Sequence, residues 1–170
     1  MSKLGSLSCL FSLVLTLACA LAAPASEPSM ALVTIIIGKA ALACEVPHTS
    51  AERYRGLSGR TGLAPGSGMV FVLRHHERAM MTMRGMRFSL DFIWVLNGKV
   101  TQVSERAPAG GVPPLDLQPA IPIDMVIEAP AGWAATNGIT PGAPVSVSSI
   151  DVPVQSSSLD MLCRRYGPAR

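Results

Sequence analysis

The sequence predicts a mainly β domain of the α+β type: about six or seven short strands in a curved sheet or small barrel, with two short helices. Three observations carry this. Fifteen glycines and fourteen prolines are scattered between short apolar runs, which favours many short elements over a helical bundle. Aromatics make up only 5% of the chain, so Val, Ile, Leu, Met and Ala must fill the core. Asn97-Gly98 lies between an apolar run and an alternating one, the strongest short-range hairpin signal, because a type I′ turn needs positive φ at both central residues. A chain of 170 residues is a prior for one domain.

The order of elements follows. Residues 1–22 read as a secretory signal peptide: Lys3 gives the positive end, Leu4 to Ala18 the apolar run, and Ala20-Leu21-Ala22 a small-x-small cleavage signal. The run is near or below the ~18–20 residues of a membrane span and is dotted with Ser, Thr and Ala, so no stable span is expected in the mature form. Lipid anchoring at Cys19 is disfavoured, because Thr16 stands where a lipoprotein signal wants leucine. The expected location is periplasmic or extracellular.

The domain should occupy residues 31–150. Ala31 to Ile37 and Ala40 to Val46 are strands by β-branched content and length. Thr49-Ser50-Ala51-Glu52 fits a capping box, which starts a helix over Ser50 to Leu57. Thr61 to Gly68 is a loop. Met69 to Leu73 is a buried strand, Arg74 to Arg78 a polar turn, Ala79 to Met83 a further short strand, and Arg84 to Arg87 a bend. Leu90 to Leu96 is the strongest strand, paired through Asn97-Gly98 with Lys99 to Ser104. Ala107 to Pro122 holds five prolines and should be an irregular loop. Ile123 to Ala129 is a strand. Pro130 suits the first position of a helix over Ala131 to Asn137, closed by Gly138. Val145 to Ile150 is the last strand. Residues 151–170 are Ser-rich, basic at the end and without periodicity, so a disordered tail is expected.

Several phrases line up with one family: Glu52-Arg53-x-x-Gly56-Leu57-x-x-Arg60, Gly68-Met69-Val70-Phe71, Met83-Arg84-Gly85-Met86-Arg87-Phe88-x-Leu90-Asp91, and Glu128-x-Pro130-Ala131-Gly132-Trp133 with Gly138 and Gly142. In this the chain resembles the domain-of-unknown-function 192 family, over roughly Leu42 to Val147. The resemblance implies a compact, mostly β domain and no established activity. The chain departs from the pattern at Met81-Thr82, where the family has Phe-Trp, and at Ser58, Ser89 and Ala143. With Met81-Thr82 there, the resemblance carries no aromatic pocket wall over to this chain.

The residues offer three chemistries. Residues 53–87 carry seven arginines and one acid, Glu77, a net +6, while the rest of the mature chain is net −4. Such asymmetry can mark an anion-binding surface or simply a solvated face. The family phrases concentrate polar residues in two segments, so a pocket is expected where the Glu52-Arg53 helix meets Met83 to Asp91. Its ligand-binding residues would be Arg53, Met83, Arg84, Asp91 and Glu128. The alternative for that place is an internal Arg53–Asp91 pair pinning the helix to the sheet. Glu45, Asp91 and Glu128 are the carboxylates available for acid–base work. His75, His76, Met80, Met81, Met83 and Met86 are soft ligands suited to Cu(I) in an exported protein; against this, methionine is often only pliable core packing.

Other chemistries lack their motifs. There is no Gly-x-Ser-x-Gly elbow, no Cys-x-x-Cys and no His-Glu-x-x-His. Export and few aromatics argue against nucleic acid, and no cofactor is expected. Cys44 and Cys163 remain after signal removal and can form a disulfide if their geometry allows. The preferred expectation is an exported, non-catalytic binding or accessory module for a small or envelope ligand, with an anion as the class that the arginines allow. The alternatives are an envelope-associated enzyme using Asp91 or Glu128, and a copper handler.

Overall fold

The computed structural model describes residues 30–151 and 156–167. Residues 1–22, which the sequence reads as a signal peptide, lie outside them, with Cys19. The chain is one mostly β domain, with nine strands and three short helices among the described residues. In chain order these are β1 (Ala31–Ile37), β2 (Ala40–Val46), α1 (Ser50–Arg55), β3 (Ser67–Glu77), β4 (Met81–Thr82), β5 (Leu90–Leu96), β6 (Lys99–Ala107), β7 (Asp116–Leu117), β8 (Ile123–Pro130), α2 (Trp133–Thr136), β9 (Val145–Asp151) and α3 (Ser157–Tyr166).

Seven strands form one mixed sheet in the order β6-β5-β8-β3-β2-β1-β9, and β4 pairs with β7 in a second, small sheet. The β2–β3 pair is parallel, because α1 and its loop carry the chain across between them. The sheet curves but is not a closed barrel. Among the described residues a single bridge, Lys99 with Pro144, joins β6 to the turn before β9.

Alternation along the strands builds a core on each face. Val70 and Val72 join Ile93, Val95, Met125 and Ile127 in one cluster. Met69 and Phe71 join Phe92, Trp94 and Val126 in the other. Both central strands, β5 and β8, are almost entirely buried. The first face is covered by α2 and α3. The second is covered by Leu57, Met83 and Met86 and by the small sheet through Met81 and Leu117.

Local signals place the elements near the site. Thr49 Oγ1 accepts from the Glu52 N–H at 3.1 Å, and Glu52 Oε2 accepts from the Thr49 N–H at 2.9 Å, the reciprocal cap expected from the sequence. The Asn97-Gly98 turn has φ of 50° and 73°, as its hairpin requires.

Four expectations are corrected. The polar stretch Arg74 to Glu77 is not a turn: β3 runs on through it, with Glu77 paired to Ile123. The loop from Ala107 to Pro122 contains β7, which β4 orders by pairing. Pro130 ends β8, and α2 starts only after Gly132, whose φ of 86° makes the break. The tail is not disordered over residues 157–166. Ser156 caps α3 by accepting from the Leu159 N–H, and Leu159, Leu162 and Tyr166 are buried. Their i, i+3, i+7 spacing puts them on one helix face, which packs on β3 and β9.

Candidate functional site

The site is built on β8. Glu128 lies between Met69 of β3 and Phe92 of β5 in the sheet register, so its carboxyl is flanked by apolar neighbours. The strands approach closely here. A Cβ on Gly68 would stand 2.4 Å from the Glu128 carbonyl oxygen and 2.9 Å from Leu42 Cδ2, so only glycine fits.

Above this floor the chain leaves a cleft of about 700 Å³, within the usual range for small-molecule sites. One wall is α1 and the turn after it, from Ala51 to Ser58. The other runs from Met80 to Met86. The walls are tied together: Ser58 Oγ donates to the Arg84 carbonyl at 2.8 Å, and the Gly59 N–H donates to the Gly85 carbonyl at 3.0 Å. Gly85 turns the backbone with φ of 71°. The lining is apolar at Leu57, Phe71, Met80, Met81 and Met86, and basic at Arg53, Arg55 and Arg84.

Charge is arranged unevenly on the floor. Arg60 donates to both carboxyl oxygens of Glu45, at 2.6 and 2.7 Å. Glu128, one strand beyond Met69 in the same row, has no such partner. It is 6% exposed, and among the described residues its Oε2 is buried without a hydrogen bond. Burial pushes its carboxyl up to about 8, and Arg60 only partly opposes this. Burial thus favours the neutral form of Glu128, which can donate as well as accept.

The five expected binding residues divide. Arg53, Arg84 and Glu128 line the cleft. Arg53 also donates to the His48 carbonyl at 3.0 Å. Met83 is in the core instead, 2% exposed. Asp91 is fully buried and holds no arginine. Its carboxylate accepts the N–H groups of Arg106, Gly132 and Ala134, at 2.8, 2.9 and 2.9 Å. The expected Arg53–Asp91 pair is thus replaced by a backbone anchor that fixes the turn between β8 and α2.

The copper set is also divided. Met80, Met81 and Met86 line the cleft and Met83 is buried. His75 is exposed on β3, while His76 lines a second, polar cavity with Asp124 and Tyr166. Cys44 and Cys163 are both free. Cys44 points into the core and Cys163 lies on the exposed face of α3, so the disulfide is not formed. Tyr54 and Leu57 were not singled out as lining residues by the sequence. Phe71 stands in one of the family phrases, which was the available signal.

The profile of the domain of unknown function 192, described as "Uncharacterized ACR", matches residues 33–147. The chain belongs to this family. The chain is similar to a solved structure from Novosphingobium aromaticivorans DSM 12444, a protein of unknown function. That match has 28% identity, covers 72% of this chain and 94% of that one, and has a TM-score of 0.63. A second similar structure, from Sinorhizobium meliloti 1021, is provisionally described as a transcription regulator. It has 23% identity, covers 72% and 97% of the two chains, and has a TM-score of 0.63; this likeness shows the fold alone. No curated protein matches the chain. Within this domain of unknown function 192 chain, Met81 and Thr82, the departure from the family's Phe-Trp, line the cleft.

Proposed function

We propose that this protein is an exported binding or accessory module that holds a small anionic ligand in the cleft between α1 and the Met80–Met86 segment. The observation that carries the reading is one cleft joining a buried, unpartnered Glu128 to Arg53 and Arg84. Arginine forks suit carboxylate and phosphate, and a buried polar group without a partner invites one. Export rests on Lys3, the apolar run and Ala20-Leu21-Ala22, which makes the ligand an envelope or extracellular one. Among the described residues no helix is long and apolar enough to cross a membrane.

Native mass spectrometry of the protein purified from its own envelope tests this. A co-purified anion is expected, and it should be lost in a variant carrying Arg53→Ala and Arg84→Ala. A protein that retains no anion from the envelope contradicts the reading. N-terminal sequencing of the same sample should begin near Ala23; an intact Met1 contradicts export.

A second reading, an envelope enzyme using Glu128 as general acid, has one observation in its favour. A carboxyl raised to about 8 in a cleft with arginines is suited to acid–base work near neutrality. Against it, among the described residues no second carboxylate lines the cleft; nearby, Arg60 occupies Glu45, and three N–H groups occupy Asp91. Chemical change of the retained ligand by the wild type but not by Glu128→Gln would favour the enzyme.

A further inference from the structure

We propose that the ligand is an acylated anion: a flexible apolar chain joined through an ester or amide carbonyl to a negatively charged head. This deepens the binding reading above and rests on it. Three features of the cleft each select one part of such a molecule.

The chain is selected by the walls. Leu57, Phe71, Met80, Met81 and Met86 give a mostly apolar lining. Three of the five are methionines, whose unbranched thioethers adapt to a flexible occupant. Met80 is 66% exposed, although exposing a large apolar side chain gains nothing by itself. An acyl chain laid along this wall removes that surface from water.

The head is selected by the rim. Arg53, Arg55 and Arg84 border the cleft, and among the described residues Glu128 is the one acid in its lining. The Arg84 side chain makes no hydrogen bond or ion pair among the described residues. It is open to a carboxylate or phosphate.

The carbonyl is selected by the floor. Glu128 is buried beside Phe71 with Oε2 unpartnered. A buried hydroxyl without an acceptor carries a desolvation cost that a partner removes. The groups around it are Glu45 and Arg60 on the β2 side, which satisfy each other, and Arg53, Arg55 and Arg84 across the cleft. None supplies an acceptor to Glu128. A carbonyl oxygen between chain and head does so, and a simple hydrocarbon chain does not.

The test uses N-dodecanoylglycine, below its micelle-forming concentration, titrated into the exported protein at pH 7 by calorimetry. One-to-one binding is expected, about tenfold or more tighter than for dodecanoate, which lacks the amide, or N-acetylglycine, which lacks the chain. Glu128→Leu keeps the floor filled and should fold. It should weaken N-dodecanoylglycine about tenfold. Arg84→Ala should weaken both anions. Equal binding of dodecyltrimethylammonium would overturn the selection of a negative head. Equal binding of N-acetylglycine, or an unchanged affinity in Glu128→Leu, would overturn the acylated class while leaving the anion-binding reading intact. If none of the anions binds and the purified protein also carries none, both readings fall.

Discussion

Arg60 grips Glu45 by both carboxyl oxygens, at 2.6 and 2.7 Å, and so leaves Glu128 without a guanidinium. The two acids stand in one row across the sheet, separated by Met69. Their different fates follow from which one the arginine can reach with its planar fork. Arg60→Met should therefore act on both. It removes a half-exposed ion pair, at a cost of about 1–2 kcal/mol. It also removes the nearby positive charge that restrains Glu128, so the Glu128 titration should move upward. Chemical denaturation and a pH titration of the variant check the two effects.

Glu128 makes stability depend on pH. Its folded carboxyl titrates at about 8 because it is buried, whereas an unfolded glutamate titrates near ~4.3. Between these values the folded state holds a proton that the unfolded state has lost. Stability from this group is therefore full below the unfolded value, falls as pH rises through the window, and stays low above about 8. Glu128→Gln keeps the shape and removes the charge. It should flatten the pH–stability curve across this window and be the more stable protein above it. Urea denaturation at a series of pH values measures this; parallel curves for the two proteins would contradict it.

Asp91 should be a purely structural residue. Asp91→Ala leaves three N–H groups without their acceptor, and a loss of about 3–5 kcal/mol is expected. Asp91→Asn should still be clearly destabilising, since its amide oxygen can replace Oδ1 but its amide nitrogen would face the Ala134 N–H where Oδ2 now accepts. Thermal melting checks both. A mild Asp91→Asn would contradict the assignment.

Tyr166 fastens α3. Its hydroxyl donates to Asp124 Oδ1, while Asp124 Oδ2 accepts from the Asn97 N–H at 3.2 Å. Burial and the Asp124 contact both push the Tyr166 phenol upward, so it stays a donor. Tyr166→Phe keeps the ring and loses the donor to a charged group, at about 1.5–3 kcal/mol. Hydrogen exchange should quicken in α3 and leave the β5–β8 core unchanged. Uniform loss of protection through the domain would show that α3 is not a separate unit.

The elements with local signals were legible in the sequence. The Thr49–Glu52 cap and the Asn97-Gly98 turn each depend on a few adjacent residues, and both formed as read. A cleft lies between α1 and the Arg84–Met86 bend, the two segments that carry the polar family phrases. What escaped depends on distant partners. Asp91 takes its donors from 15 to 43 residues away, and all are backbone groups, which no side-chain pattern reveals. The solitude of Glu128 depends on Arg60 choosing Glu45. The third helix was hidden by its Ser-rich opening, although Leu159, Leu162 and Tyr166 already had helical spacing.

The binding reading turns on Glu128 being a neutral acid at the floor of the cleft. Carbon-13 NMR of side-chain-labelled glutamate, with Glu128→Gln to assign the resonance, tests it most directly. The account predicts one carboxyl that titrates near 8 in the free protein and moves higher when N-dodecanoylglycine is added. A Glu128 that titrates in the ordinary glutamate range of ~4–5, unmoved by that ligand, would contradict it.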